Sequence, residues 1–259
     1  MPEFIIAGNY KIPQSNVVIG MVESVSRRVR GNKYDDFVKS IDVIIVDETH
    51  RGEFTKIFEY FGDKIIIGFT ATSYRRAPQK PLSDYFNKIL LGPSVKELIK
   101  RGSLVPAKVF GRKLDMKNIG VRAGEYKAED QEVEFEAQGM YKNVIKHYKK
   151  YLDGKKSIVF TPSLEVSRRI VDNFNNEGIS AVHIDGTTPK TERDRIIDLY
   201  KSGDIKIISN YDIVTTGFDD PGVEGIILFL ATRSLVKYLQ ILGRGARPYE
   251  GKQYFTVLD

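Results

Sequence analysis

Acidic side chains follow directly after an apolar run near the start of the chain. Residues 43–46 read Val-Ile-Ile-Val, a pattern typical of a strand in a parallel sheet, and Asp47-Glu48-Thr49-His50 comes next. Ligands of open α/β sheets bind at the carboxyl ends of strands. Asp47 could hold Mg²⁺ there while Glu48 polarises an attacking water, and His50 could couple the site to a neighbouring loop. Taken alone, the segment also fits an acidic helix N-cap, and that alternative stays open.

Two arginines lie three residues apart near the other end of the chain. The stretch QILGRGAR, residues 240–247, contains Gln240, Arg244 and Arg247. A guanidinium is planar and permanently charged, which suits the charge that develops on a transferred phosphoryl group. On a helix, positions i and i+3 share one face, so the two arginines would point the same way. The alternative is a solvated helix end whose arginines interact with the helix dipole.

The composition restricts the classes of function. The 259 residues contain no cysteine and three widely spaced histidines, which excludes disulfides and cysteine nucleophiles and argues against a histidine-rich metal site. No apolar run reaches the roughly 18 residues of a membrane span, and residues 1–4 lack the basic-then-apolar pattern of a signal peptide, so we expect neither membrane insertion nor secretion. A net charge of +6 mildly favours a polyanionic partner. The acidic run from Glu125 to Glu136 is typical of a solvated linker.

Short β-branched runs alternate with amphipathic stretches along the chain. This alternation predicts an α/β fold in which helices cover parallel sheets. We predict strands at 43–46, buried on both faces, and at 65–69, and one helix from about 133 to 152. The apolar periodicity fades over residues 110–136. The sequence therefore predicts two lobes, 1–109 and 137–259, joined by a linker at 110–136.

Several segments occur in an order that resembles a known family. Asp47-Glu48-Thr49-His50, Thr70-Ala71-Thr72, the stretch YDIVTTGFDDPGV (211–223) and QILGRGAR resemble motifs II, III, V and VI of superfamily 2 DExH-type helicases and translocases. The resemblance covers nearly the whole chain. It implies two RecA-like parallel-sheet lobes, the first incomplete, and ATP and Mg²⁺ as cofactors.

The resemblance also implies roles for individual residues. The first carboxylate of motif II, Asp47, would bind the metal, and the second, Glu48, would be the catalytic base. His50, Arg244 and Arg247 complete the implied catalytic group. The other assignments are Gln240, Gly217 and Asp219 for the nucleotide, Thr70 and Thr72 for coupling hydrolysis to movement, and Ser24, Thr161, Ser163, Tyr211 and Thr215 for the nucleic-acid backbone.

Some of the backbone assignments have plain structural alternatives. Ser24 could simply cap a helix, and Thr161 and Ser163 could simply form a turn. Tyr211 stands where many relatives have threonine, so the contact there would change in kind. A tyrosine still offers a hydroxyl and a ring for stacking on a base.

The phosphate-binding pattern G-x-x-x-x-G-K-[ST] is absent from the 46 residues before Asp47. The resemblance then implies that the sequence begins midway through the first lobe, with the missing half-lobe as a candidate partner. We expect the chain alone to hydrolyse little or no ATP. Three interpretations stay open: a fragment of an ATP-driven helicase or translocase, the motor subunit of a restriction system, or a non-enzymatic nucleic-acid-binding remnant. Analogy with phage and bacterial members favours DNA over RNA and a bacterial or phage-infected cytoplasm.

Overall fold

The computed structural model describes residues 1–8, 11–71, 81–111, 113–211 and 220–259, without the side chains of Asn32 and Arg51. The chain divides into two compact units, Met1–Leu91 and Gly92–Asp259. Each unit combines parallel strands with helices, as the sequence predicts. In the described ranges, no helix is both long enough and apolar enough to cross a bilayer.

The described part of the first unit contains two pairs of parallel strands and three short α-helices. In chain order these are β1 (Glu3–Ile5), β2 (Val18–Gly20), α1 (Val22–Arg28), α2 (Asp35–Ser40), β3 (Val43–Val46), α3 (Thr55–Phe61) and β4 (Ile65–Gly68). β1 pairs with β2 and β3 pairs with β4, both in parallel. Ile5, Phe37, Ile57 and Phe61 form the buried core between strands and helices.

One face of the β3–β4 pair is apolar and exposed. Val43 and Ile45 are 46% and 66% exposed, and Ile65 and Ile67 are 63% and 44% exposed. Ile44 points to the opposite face, since side chains alternate along a strand, and packs against the core shared with the helices. The prediction that 43–46 is buried on both faces is therefore wrong. We call Val43, Ile45, Ile65 and Ile67 the bare face.

The second unit begins with three helices, one edge strand and a short hairpin. These are α4 (Val95–Lys100), β5 (Ala107–Phe110), β6 (Val121–Arg122), β7 (Glu125–Tyr126), α5 (Ala128–Ala137) and α6 (Met140–Tyr151). The remaining elements are β8 (Ser157–Phe160), α7 (Leu164–Asn176), β9 (Ala181–Ile184), α8 (Lys190–Ser202), β10 (Ile207–Asn210), β11 (Gly225–Leu228), α9 (Leu235–Gly245) and β12 (Phe255–Leu258). Six strands form one parallel sheet in the order β5-β12-β11-β8-β10-β9.

Helices cover both faces of this six-stranded sheet. In β8, Val159 packs in one core with Tyr148 of α6, whereas Ile158 packs in a second core with Tyr200 of α8 and Ile241 of α9. Strands sandwiched in this way must be apolar on both sides, which explains their continuous β-branched runs. The α/β fold class predicted from the sequence is confirmed.

The boundary between the units lies before the predicted one. The sequence places residues up to 109 in the first lobe, but β5 pairs with β12, with Ala107 opposite Phe255, and so belongs to the second sheet. The predicted linker at 110–136 contains the β6–β7 hairpin and most of α5. Two α5 residues are buried, Phe135 and the polar Gln131. The weak apolar periodicity thus reflects a sparsely anchored helix rather than a linker.

The predicted single helix from 133 to 152 is two helices. α5 ends at Ala137 and α6 begins at Met140. Between them Gly139 has a φ of 66°, a left-handed conformation that glycine adopts without the steric cost of a side chain. One glycine in an otherwise helical pattern therefore marks a break that periodicity alone does not reveal.

Two glycines of α9 allow a matched test of the packing. A Cβ on Gly245 would lie 2.3 and 2.8 Å from ring atoms of Phe255, whereas nothing lies within 4 Å of a Cβ on Gly243. We expect Gly245→Ala to lower the free energy of unfolding by about 1–3 kcal/mol through overpacking. Gly243→Ala should leave it unchanged or raise it by up to about 1 kcal/mol, because alanine favours the helix. Thermal unfolding followed by circular dichroism measures both; equal melting temperatures would contradict the close approach.

Candidate functional site

The pairing of β3 with β4 brings two polar loops together in the first unit. Val46 lies opposite Gly68, so the DETH segment (47–50) and the start of the TAT segment, Thr70 and Ala71, leave the same edge of the strand pair. Thr49 cross-links them, because its backbone N–H and its hydroxyl both donate to the Phe69 carbonyl, at 3.1 and 3.2 Å. The carboxylates are thereby held close to Thr70.

His50 lies between Glu48 and Thr70. Its Nδ1 is 3.1 Å from Glu48 Oε2 and 3.0 Å from Thr70 Oγ1. The hydrogen bond that the sequence predicts between His50 and the TAT segment is thus present. Thr72, the other threonine of that segment, lies outside the described residues.

Glu48 has a strained backbone. Its φ of 52° and ψ of 44° are left-handed, which costs a non-glycine residue about 1–2 kcal/mol. Strain of this kind concentrates at functional sites. Glu48 precedes a short 3-10 turn at Thr49–Arg51 but makes no side-chain capping hydrogen bond to it, so the helix-cap alternative loses its physical basis.

Asp47 is exposed at the end of β3. Its Oδ1 accepts a hydrogen bond from the Glu48 N–H at 2.8 Å, and its other oxygen makes no hydrogen bond to a described residue. Mg²⁺ is commonly held by one or two protein carboxylates together with waters and substrate phosphates. The donor set at Asp47 fits that kind of binding.

The residues that pack beneath this loop have no clear signature in the sequence. A Cβ on Gly68 would lie 2.7 Å from Thr49 Cγ2 and 2.7 Å from the Phe86 ring, so only glycine lets the DETH segment approach β4. Phe86 in turn packs against Phe54, with ring centroids 5.6 Å apart. The available signal was a glycine within an otherwise apolar strand, followed later by adjacent aromatic residues.

The two hydroxyls after β8 differ in accessibility. Thr161 is 2% exposed, and its hydroxyl lies 3.0 Å from the Asn210 carbonyl oxygen and 3.1 Å from that of Ser163. A phosphate has no access to it, because the hydroxyl is buried within the strand framework. Ser163 is half-buried and caps α7 by accepting from the Val166 N–H at 3.1 Å, which leaves its hydroxyl proton available for donation.

The other nucleic-acid assignments fall in different parts of the chain. Tyr211 follows β10 and is 38% exposed, at the same sheet edge as Ser163, because β8 and β10 are parallel neighbours. Ser24 lies within α1 and is not its N-cap, which is Met21. Thr215, Gly217 and Asp219 lie outside the described residues.

The two candidate arginines do not share a helical face. α9 ends at Gly245 and has Ala246 as its C-cap, so Arg244 occupies the last turn and Arg247 lies beyond the helix. The predicted helical i, i+3 pair is therefore wrong. Gln240 lies in the middle of α9.

The backbone carbonyl of Arg247 accepts a hydrogen bond from Lys252 Nζ at 3.0 Å. Burial lowers the pKa of Lys252 to about 8.

A chain of polar side chains that the sequence analysis misses runs through the second unit. Ser209 Oγ lies 2.7 Å from Ser167 Oγ, which lies 2.7 Å from His183 Nδ1. His183 Nε2 lies 3.0 Å from Asp185 Oδ2. Because Ser167 is fully buried, this serine–histidine–aspartate series cannot act on a substrate and instead joins α7 to the end of β9.

Asp185 anchors the loop that follows β9. Its Oδ1 accepts from the N–H and the hydroxyl of Thr187, at 2.8 and 2.6 Å. The hydrogen bonds from Thr187 and His183 hold the pKa of the Asp185 carboxyl well below its usual range. The ionised carboxylate therefore stabilises the fold at neutral pH.

We expect Asp185→Asn to destabilise the second unit by roughly 1.5–3 kcal/mol, the usual worth of hydrogen bonds to a charged group. The loss should be complete above about pH 4, the ordinary pKa of an aspartate. It should shrink as the pH falls through the depressed pKa of Asp185, where the wild type also loses its carboxylate. Asp198→Asn, at an exposed position of α8, is the matched control. Urea unfolding between pH 7 and pH 2.5 measures the difference, and a loss independent of pH would contradict this role.

Two known families match separate parts of the chain. Residues 2–75 match the type III restriction enzyme res subunit, and residues 140–249 match the helicase conserved C-terminal domain. The first match contains the DETH segment, and the second contains α9 and Arg244.

Individual proteins are similar over most of the chain. A 51.5 kDa protein of a Lactococcus phage (isolate 7-9) is 32% identical over 223 residues, which cover 84% of this chain and 48% of the relative. The candidate ATP-dependent helicase IRC3 of Saccharomyces cerevisiae is 27% identical over 262 residues, covering 96% and 37%.

Among solved structures, a fragment of a candidate HsdR subunit of a type I restriction enzyme from Vibrio vulnificus YJ016 has a TM-score of 0.75 at 22% identity. The match covers 100% of this chain and 49% of that one. The chain thus spans about half or less of the length of these proteins. The two family matches and the RecA-like fold together identify the chain as a superfamily 2 helicase core.

Proposed function

We propose that this chain works in an ATP-dependent helicase or translocase that acts on nucleic acid. The observation that carries the proposal is the contact of His50 with both Glu48 and Thr70. It joins the candidate catalytic base to the loop that would couple hydrolysis to movement. The strained backbone at Glu48 supports a functional role, because folding alone does not require that residue in that conformation.

The chemistry follows from the residue types. Glu48 would polarise the attacking water, and Asp47 would hold Mg²⁺. When bound there, Mg²⁺ would supply positive charge that offsets the negative charge of the ATP phosphates. Arg244 and Arg247 would stabilise the transferred phosphoryl group, a contribution worth about 10³–10⁵ in rate for arginines in comparable enzymes. The resemblance adds Gln240, Gly217 and Asp219 on the nucleotide side and Thr72 in coupling.

The nucleic acid would bind at the carboxyl edge of the second sheet. Ser163 retains a hydroxyl donor there, and Tyr211 presents an exposed ring. Ser24 and Thr215 stay proposed contacts on the resemblance alone. We favour DNA over RNA, because the first unit matches a restriction enzyme family and restriction enzymes act on DNA.

A restriction-system translocase subunit is the second candidate function. The match to the type III restriction res subunit favours it, as does the structural likeness to an HsdR fragment. Both candidates use the same ATP site and differ in whether a nuclease is attached. The similarity to a phage protein favours the cytoplasm of a bacterial or phage-infected cell as the place of action.

We also propose that the bare face is covered by the half-lobe that carries the phosphate-binding loop. Parallel strands are normally buried on both faces, and here the exposed side is formed by valine and isoleucine. A second helical layer supplied by that half-lobe would remove these side chains from water. It would also provide the backbone N–H groups and the lysine that triphosphate binding requires.

Glu48→Gln in the complete protein should abolish nucleic-acid-stimulated ATP hydrolysis and spare ATP binding. Removal of a general base costs typically 10²–10⁴ in rate, while the amide keeps the shape of the side chain. Glu53→Gln, at a nearby exposed position, is the matched control. Steady-state hydrolysis with single-stranded DNA and fluorescence binding of a labelled ATP analogue measure the two effects. Hydrolysis by Glu48→Gln at the wild-type rate would overturn the assignment of the base, and an inactive wild type would favour a non-enzymatic remnant.

The bare face allows a test of the half-lobe proposal. Ile45→Lys should be tolerated in the 259-residue chain, where Ile45 is exposed, but should destabilise the complete protein by several kcal/mol, where the charge would be buried. Ile44→Lys, on the opposite face, should destabilise both. Thermal unfolding of the four proteins makes the comparison. Equal tolerance of Ile45→Lys in both lengths would show that nothing covers this face.

A further inference from the structure

A small hairpin stands apart from the six-stranded sheet of the second unit. β6 and β7 pair antiparallel through the turn Arg122-Ala123-Gly124-Glu125. Ala123 and Gly124 both have positive φ values, 51° and 83°, as tight two-residue hairpins of type I′ require. The left-handed alanine costs about 1–2 kcal/mol. Such strain persists only where surrounding contacts hold the turn in place.

Two polar side chains hold this hairpin against the sheet. Glu125 Oε2 accepts from the Thr232 hydroxyl and from the Arg233 N–H, each at 3.0 Å. Gln131 is 3% exposed, and its Oε1 accepts from the Ala231 N–H at 2.7 Å. These bonds join the hairpin and α5 to residues 231–233, at the carboxyl edge of the sheet.

A cavity of about 260 Å³ lies between the hairpin and that edge. Pro162, Tyr211 and Leu230, which follow β8, β10 and β11, form its floor. The other lining residues are Arg122, Glu125, Tyr126, Lys127, Ala128, Gln131, Ala231 and Lys237. We call this cavity the hairpin pocket. It is smaller than the roughly 300–1,000 Å³ typical of small-molecule sites, which suits one unit of a longer ligand.

The charge of the hairpin pocket favours an anion. Arg122, Lys127 and Lys237 line it, and neither lysine forms an ion pair with any residue in the described ranges. Arg122 lies 3.5 Å from Glu129. Glu125, the one carboxylate in the lining, is bound to Thr232 and Arg233. Two lysines are therefore available for a phosphate.

Two tyrosines give the hairpin pocket aromatic surface as well. Tyr126 comes from the hairpin, and Tyr211 comes from the end of β10. Aromatic rings beside lysines are typical of sites that stack a base and bind its phosphate. A ligand that is only an anion would make no stacking contact with the rings, and an apolar peptide would leave the lysines without an anionic partner.

We propose that the hairpin pocket binds one nucleotide of a single-stranded nucleic acid, with the phosphate on Lys127 and Lys237 and the base against Tyr126. The inference rests on the proposed function, because it assigns part of the same strand path. It adds residues of the β6–β7 hairpin and of α5 to the binding surface. A free mononucleotide also carries a base and a phosphate. Binding of free AMP and of an oligonucleotide distinguishes the two ligands.

The test compares charge and ring variants of the complete protein. Affinity for a fluorescent single-stranded oligonucleotide is measured by anisotropy across a salt series. The double variant Lys127→Ala/Lys237→Ala should reduce the slope of log affinity against log salt by about 0.7, because the two lysines together neutralise one phosphate and each neutralised phosphate contributes about 0.7. The double variant Lys142→Ala/Lys146→Ala makes the same charge change at exposed positions of α6. It should keep the wild-type slope.

The ring is tested separately. Tyr126→Ala should weaken binding about 5- to 150-fold, the range expected for loss of one base stack, whereas Tyr126→Phe should bind like the wild type. Melting temperatures of all variants show whether the hairpin still folds.

Each outcome is decisive for one of the two proposals. Wild-type affinity and salt slope in both the lysine and the tyrosine variants would overturn the hairpin pocket while leaving the proposed function intact. Variants that lose binding of free AMP but not of the oligonucleotide would overturn it in favour of a mononucleotide site. A wild type that binds no oligonucleotide, and whose ATP hydrolysis no nucleic acid stimulates, would refute the proposed function and the inference with it.

Discussion

The parallel pairing of β3 with β4 is the constraint on which the candidate catalytic site depends. It places Val46 opposite Gly68, and only then can the N–H of Thr49 reach the Phe69 carbonyl. A shift of one residue would exchange the faces of the strand and move the carboxylates away from Thr70. Gly68 enforces the arrangement, since any side chain there would collide with Thr49 and with Phe86. The chemistry at Glu48 thus relies on backbone pairing and on the absence of one side chain.

The second unit uses the same principle at larger scale. Its strands are parallel, so the loops after β8, β10 and β11 meet at one edge and bring Pro162, Tyr211 and Leu230 together. Several polar groups near that edge are bonded to one another. The series Ser209, Ser167, His183 and Asp185 is an example. A buried polar network of this kind is stable only when each member has a partner, and it fixes one arrangement of the loops.

Local patterns in the sequence predict much of this structure. Continuous β-branched runs identify β3 and β8, and the carboxylates after β3 lie at the strand end where the pattern places them. What periodicity cannot reveal depends on partners distant in sequence. β5 belongs to the second sheet because of β12, and Glu125 is held by Thr232 and Arg233. The sequence did not predict the bare face, because an apolar run indicates only that a strand can be buried. The structure shows which side of β3 and β4 the helices of this unit cover. Arg247 was misplaced because the spacing of the arginines does not show that α9 ends at Gly245.

The position of β5 in the second sheet has a consequence for the order of folding. β5 is an edge strand whose sheet partner is β12, the last strand of this sheet in chain order, and β12 also separates β5 from β11. During synthesis β5 leaves the ribosome before most of the second unit. It can pair only after β12 has been synthesised. Closing so long a loop slows folding and leaves the backbone of β5 unpaired meanwhile. Lys100, Arg101 and Gly102 precede β5, and Gly111 follows it. Charged and glycine residues beside an unpaired strand hinder its pairing with other chains.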